Sequence, residues 1–87
     1  MGYKIKKFSA TWCGPCKMLE QRLKDYTRCE IEKCDVDEME EDVIAKYNIR
    51  NVPTVIIVDD NDNEVARLAG LFSISDLDAK LDELENG

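Results

Sequence analysis

Histidine is absent from this chain of 87 residues, and that one gap removes several chemistries. No imidazole is there to act as a general base, to pair with a catalytic cysteine or to ligate a metal. Acid–base help must come from Asp, Glu, Lys, Tyr or water. Long apolar runs are missing too, and no segment approaches the roughly 18 residues of a membrane span. Lys4, Lys6 and Lys7 stand near the start without a long apolar stretch after them, so no signal peptide is expected and the expected location is the cytoplasm. There is no basic excess either. The formal net charge is −7, with acidity concentrated in 38–42, 59–64 and 76–85. These segments read as solvated helix faces and a polar turn. Nucleic-acid binding through a broad basic face is not expected, whereas a basic protein partner is compatible with the charge. Repeats, linkers and low-complexity tracts are absent. One small domain, 1–87, with a thin core fits the length.

Hydrophobic spacing organises the rest. Residues 3–10 read as a strand anchored by Ile5 and Phe8. Residues 14–26 read as a helix with Pro15 in the first turn, where a missing N–H is harmless, and with Leu19, Leu23 and Tyr26 on one face. A second strand is expected over 28–36 and a short helix over 40–47, with Val43, Ile44 and Tyr47 on one side. Val55-Ile56-Ile57-Val58 is a continuous β-branched run of the kind buried on both faces of a sheet. A polar turn over 59–63 leads to a return strand, 64–69, which makes an antiparallel hairpin. The last helix, 73–84, carries Ile74, Leu77, Leu81 and Leu84 on one stripe and takes Ser73 or Ser75 as N-cap. The order is β-α-β-α-β-β-α. The first two strands should pair in parallel across their helix, and helices should cover both faces of a four-stranded mixed α/β sheet.

Four cysteines are present, at 13, 16, 29 and 34. Cys13 and Cys16 stand three positions apart at a strand-to-helix junction. Unpaired N–H groups and the helix dipole favour an anion there, so Cys13 is the expected thiolate. Cys16, one turn on, should be more buried and placed to attack a mixed disulfide on Cys13. Gly14 lets another chain come close, Pro15 stiffens the turn, and Trp12 offers a flat apolar wall. A four-cysteine metal site is the competing reading of such a pair. Cys29 and Cys34 would have to complete it. On a regular strand they stand roughly 16 Å apart and face opposite sides, which also argues against their forming a disulfide. No metal is expected, and both read as small fillers of core or surface. Pro53 opens the apolar strand, either as a plain strand-start proline or as a cis peptide facing the thiols.

Trp12-Cys13-Gly14-Pro15-Cys16-Lys17, then Val52-Pro53-Thr54, then Gly70 before the last helix together closely resemble the thioredoxin family, over nearly the whole span 3–84. The resemblance implies a thioredoxin-like fold without that family's usual N-terminal strand and helix, close to glutaredoxins in size. It makes Cys13 the attacking thiol, Cys16 the resolving thiol and Pro53 a cis-proline. Trp12, Val36, Val52, Pro53, Gly70 and Leu71 would line a shallow apolar groove, where a partner chain pairs with the Val52 backbone. The implied activity is thiol–disulfide exchange: an electron carrier that reduces protein disulfides and is recharged by a flavoprotein thioredoxin reductase. It would need no cofactor beyond the Cys13–Cys16 disulfide and would work as a monomer, although an exposed sheet edge permits weak dimerisation. One departure is chemical. The family usually places a buried Asp where this chain has Lys7, while Lys33 matches the family's lysine on the next strand. The Lys7 ammonium either favours a Cys16 thiolate or snorkels outward, the outward course being the expectation. Two other functions compete. A glutaredoxin-like protein would be recharged by glutathione, with Arg50 and Lys17 supplying charge for its carboxylates, although Gly-Pro between the thiols favours the thioredoxin reading. A binding subunit would use the groove without redox chemistry.

Overall fold

The chain, described over residues 2–86 in a computed structural model, forms β1 (Lys4–Ser9), α1 (Gly14–Leu23), β2 (Glu30–Asp35), α2 (Glu41–Tyr47), β3 (Thr54–Val58), β4 (Glu64–Ala69) and α3 (Ile74–Asn86). The four strands make one mixed sheet in the order β2-β1-β3-β4. β1 pairs with β2 in parallel, and β3 runs antiparallel to both β1 and β4. The expected element order and strand directions are therefore present, in a thioredoxin-like arrangement of four strands and three helices.

The all-apolar run decides which strand is central. Every residue of β3 is buried, because the side chains of a strand alternate between faces and here both faces are covered. Val55 and Ile57 join Ile5, Leu19, Leu23, Phe72, Leu77 and Leu81 in one cluster, which glues α1 and α3 to the sheet. Ile56 and Val58 join Phe8, Cys34 and Tyr47 in a second cluster under α2. Cys29 packs against the first cluster and Cys34 belongs to the second. They therefore face opposite sides of the sheet, as their spacing requires.

Local chemistry sets the element ends. Ser73 Oγ accepts from the Asp76 N–H at 3.2 Å and Asp76 Oδ2 accepts from the Ser73 N–H at 3.3 Å, a reciprocal cap that starts α3. Asn48 ends α2 in the left-handed conformation, φ 52°, and the Ile49 N–H returns to the Ile44 carbonyl. In the hairpin, Asp59 Oδ1 accepts from the N–H groups of Asn61 and Asn63 at 2.9 and 3.0 Å, so the acidic stretch is the expected polar turn. Most element ends fall within two residues of expectation, and one differs by three. α1 ends at Leu23, not at Tyr26. The Tyr26 hydroxyl donates to Asp78 on α3 at 2.6 Å; that bond and its place against the first cluster fix the ring without a further helical turn.

Candidate active site

The β1–α1 junction delivers both thiols. Cys13 is the N-cap of α1, with extended backbone at φ −93° and ψ 112°. Its own N–H is taken by the Ala10 carbonyl at 3.2 Å. The Cys16 N–H donates to Cys13 Sγ at 3.2 Å, which is the bond an N-cap oxygen would ordinarily accept. The two cysteines are joined as a disulfide, with Cα atoms 5.2 Å apart. They are 5 % and 3 % exposed, so both are buried and Cys16 is marginally the deeper. No acidic residue stands in the first turn of α1 to oppose a thiolate at Cys13.

A second segment faces the sulfur. The Val52–Pro53 peptide bond is cis, and the Val52 carbonyl oxygen lies 3.7 Å from Cys13 Sγ. A disulfide sulfur has no proton to give, so this is a contact in the oxidised form; in the dithiol form the S–H can donate there. Ala10, Cys13 and Cys16 pack together against Val36 and Val52. The third segment is held by the second: Gly70, left-handed at φ 77°, gives its N–H to the Pro53 carbonyl at 2.8 Å.

These segments border an open apolar groove of about 320 Å³, lined by Trp12, Val36, Ile49, Arg50, Asn51 and Val52. Trp12 is 69 % exposed and is fixed by its indole N–H, which donates to Asp37 Oδ2 at 2.9 Å. Gly70 and Leu71 sit beside the cis bond rather than in this groove, with Leu71 exposed. Pro53 needs a correction as a groove residue. It is fully buried; its ring packs inward, and the surface it shapes is the Val52 backbone. Gly14, Pro15 and Lys17 are exposed around the thiols.

Lys7 also departs from expectation. It is only 6 % exposed, on the sheet face under α1, and its Nζ stands 3.9 Å from Glu20 Oε1. Burial pushes its pKa down, and Glu20 opposes that push. The outward course is therefore not taken, because a carboxylate on α1 meets the ammonium. Lys33 reaches the same oxygen, at 3.1 Å. Sequence reading missed both Glu20 and Asp37. Glu20 stands four positions after Cys16, so helical spacing alone puts the two on one face; Asp37 lies in a loop and carried no such signal.

The remaining thiols are quiet. Burial, with Glu32 alongside, pushes Cys34 up to about 11, and burial raises Cys29 as well. Among the described residues, no group of three or more His, Cys, Asp or Glu side chains is placed to hold a metal ion. Nor is any described helix long and apolar enough to cross a membrane.

Two vicinal cysteines at a helix N-terminus, opposed by a cis-proline loop on a four-stranded mixed sheet, place the molecule in the thioredoxin-like class. The thioredoxin family model matches residues 3–83. Thioredoxin of Staphylococcus epidermidis is 44 % identical over 66 residues, which cover 70 % of this chain and 62 % of that protein. The match thus spans less than two thirds of that relative's length. Among solved structures, a variant thioredoxin from Halobacterium salinarum superposes with a TM-score of 0.80 at 32 % identity, covering 93 % of this chain and 73 % of that one. The Deadhead thioredoxin of Drosophila melanogaster gives 0.80 at 33 %, covering 92 % and 81 %. This chain belongs to the thioredoxin family.

Proposed function

We propose that this protein is a thiol–disulfide oxidoreductase that reduces disulfide bonds in other proteins. The observation that carries the reading is the Cys16 N–H aimed at Cys13 Sγ at 3.2 Å, with the Val52 carbonyl standing in front of the same sulfur. An anion at that sulfur gains a backbone hydrogen bond and the positive end of the α1 dipole. In the dithiol form, the Cys13 thiolate attacks one sulfur of a substrate disulfide and the other substrate sulfur leaves as a thiolate. Cys16 then loses its proton to water and attacks Cys13 Sγ. The Cys13–Cys16 bond forms, the bond to the substrate breaks, and the second substrate sulfur departs as a thiolate and takes up a proton. Two electrons have passed from the dithiol to the substrate.

The groove supports a protein substrate. Trp12, Val36, Ile49 and Val52 give an apolar floor, and the Val52 backbone lies where an extended chain would add its own hydrogen bonds. Closing the cycle needs an external reductant, for which we propose a flavoprotein thioredoxin reductase. No cofactor beyond the Cys13–Cys16 disulfide is required in this scheme. We place the protein in the cytoplasm, acting as a monomer. Dithiothreitol-driven reduction of insulin by the wild type and by Cys13→Ser is the test. The wild type should turn over and the variant should not; equal rates would refute the reading. Recharging by glutathione instead of the reductase would move the protein to the glutaredoxin-like alternative, for which Arg50 lines the groove while Lys17 lines a separate cavity.

A further inference from the structure

Beside the groove that holds Trp12 lies a second hollow, and the two share a wall. It measures about 300 Å³ and is lined by Asn48, Arg50, Asn51, Thr54 and Arg67 among others. Arg50 and Asn51 line the apolar groove as well. Arg50 stands two positions before Val52, so their Cα atoms are at most about 7 Å apart. The Val52 carbonyl in turn lies 3.7 Å from Cys13 Sγ. A chain extended along Val52 therefore reaches the hollow within a few residues of its reacting cysteine.

The hollow is polar and partly preset. Arg67, on β4, makes three bonds of 2.6 Å: Nε to Glu64 Oε2, and Nη2 to both Glu64 Oε1 and the Tyr47 carbonyl. That carbonyl belongs to the C-terminal end of α2, which would otherwise repel an anion. The Arg67 Nη1 takes part in none of the three. Thr54 is buried and gives its hydroxyl to the Asn51 carbonyl at 2.7 Å, which pins the segment carrying Arg50. Arg50 itself is exposed. Among the described residues its side chain bonds to a neutral partner, Asn48 Oδ1, at 3.4 Å. Arg28, by contrast, meets Asp78, Asp82 and Glu85, and Arg67 meets Glu64. Two guanidinium groups thus stand here against one carboxylate, in a chain whose overall charge is −7.

We propose that this hollow is a specificity subsite for an acidic side chain, Asp or Glu, lying a few residues from the reacting cysteine of a protein substrate. Arg50 is the cation that meets it, and Arg67 Nη1 is a second donor. This rests on reading Cys13 and Cys16 as the exchange pair. Guanidinium suits the task because its planar fork matches a carboxylate. The field of the whole molecule works the other way, since a net negative protein repels an acidic chain. A preference for acid must then come from the site itself.

Short peptides test this. Each carries one cysteine as a mixed disulfide with an aryl thiol, and Glu, Gln or Lys at one place two to four residues to either side. Release of the aryl thiolate on mixing with prereduced protein gives the second-order rate constant. At low salt the best Glu peptide should react roughly threefold faster with the wild type than its Gln counterpart, the scale of an exposed ion pair. Molar salt should bring that ratio toward one. Arg50→Gln should abolish the preference, Arg50→Lys should keep at least half of it, and Arg50→Glu should favour the Lys peptide over the Glu peptide. Glu64→Gln should raise the ratio, because Arg67 loses its counter-charge; a ratio no higher than the wild type's overturns the part given to Arg67. A wild-type ratio of one at every place, or an unmoved ratio in Arg50→Gln, overturns the proposal. Glutathione, carried on the same aryl thiol, is the other source of carboxylates. If it outpaces the Glu peptide and is slowed in the same proportion by Arg50→Gln, the commitment to a protein chain is overturned. A wild type that releases no more thiolate than Cys13→Ser overturns the exchange reading instead. Ratios taken within each protein cancel any general loss of reactivity, so a damaged variant does not imitate a lost preference.

Discussion

Gly70 offers a measurement in which one physical effect stands alone. Its backbone is left-handed at φ 77°, and an added Cβ would meet no atom within 4 Å. A substitution there is therefore charged for backbone conformation, not for a clash. An L-residue in this region costs roughly 1–2 kcal/mol, so Gly70→Ala should lower stability by about 1 kcal/mol. For a domain of this size that is a fall of about 4–8 °C in Tm. Gly70→Asn should cost less, because a short polar side chain tolerates the left-handed region. Gly70→Val should cost more, because a β-branched residue is a true outlier there. The decisive variant is D-alanine, introduced by chemical ligation. A D-residue is at ease at positive φ and restricts the unfolded chain, so it should stabilise by about 0.4–1 kcal/mol. Urea unfolding reads all four. The Gly70 N–H to Pro53 carbonyl bond of 2.8 Å survives every one of these changes, so insulin reduction below the melting range should be retained. L-alanine without cost, or D-alanine worse than L-alanine, would refute the left-handed assignment and with it the account of how this segment holds the cis-proline loop.

Three further outcomes follow from single contacts. Ser73→Ala removes the hydroxyl that accepts from the Asp76 N–H and should cost about 1 kcal/mol in urea unfolding, with the same loss whether or not the disulfide is reduced. Glu32 is held down to about 2 from 4.5, first by the hydrogen bond from Lys4. A carboxyl depressed in the folded state adds stability that is fully present above about 4.5 and is lost as pH falls toward about 2, so the wild type and Glu32→Gln should differ at neutral pH and converge in acid. Trp12 is the single tryptophan and Asp37 holds its indole N–H; Asp37→Ala should lower its fluorescence anisotropy and weaken capture of a peptide disulfide while leaving Tm within a degree or two, and unchanged anisotropy would show that the ring is fixed by something else.

Much of the fold could be read from the chain because the relevant signals are local. The β-branched run of β3 can be buried on two faces only at the centre of a sheet, and the Leu77 and Leu81 stripe of α3 needs a surface to cover. The thiol pair was legible for the same reason, since three positions and a proline define its turn. What escaped depended on distant partners. Nothing within α1 says that it stops at Leu23, because the residue that holds Tyr26 lies on α3. Lys7 stays under the helix because Glu20 comes down to meet it, and a lysine on a strand gives no notice of that. The Val52–Pro53 bond is cis and brings the Val52 carbonyl to Cys13 Sγ, yet the burial of Pro53 is set by how the loop closes over the sheet. Asp37 became visible only when the end of β2 brought it to Trp12.

The way the site is tied explains how it can be both rigid and permissive. Backbone bonds tie the segments around the site: Val36 N–H to the Ser9 carbonyl at 2.9 Å links the ends of β2 and β1, Cys13 N–H to Ala10 at 3.2 Å closes the turn that carries the thiol, and Gly70 N–H to Pro53 at 2.8 Å holds the cis-proline loop. The Arg22 guanidinium adds a clamp on the Phe72 carbonyl at 2.8 Å. None of these tethers uses a groove side chain. The two apolar clusters behind them fix β1 and β3, from whose ends the thiol and proline segments depart. Position is thus set by main chain and core, while the proposed recognition surface is formed by Trp12, Val36, Ile49 and Val52 lining the groove. Changing Trp12 or Ile49, which lie outside the cluster around the two thiols, should alter which disulfides are accepted without moving Cys13 relative to Cys16, because the N–H that orients the sulfur belongs to the backbone of α1.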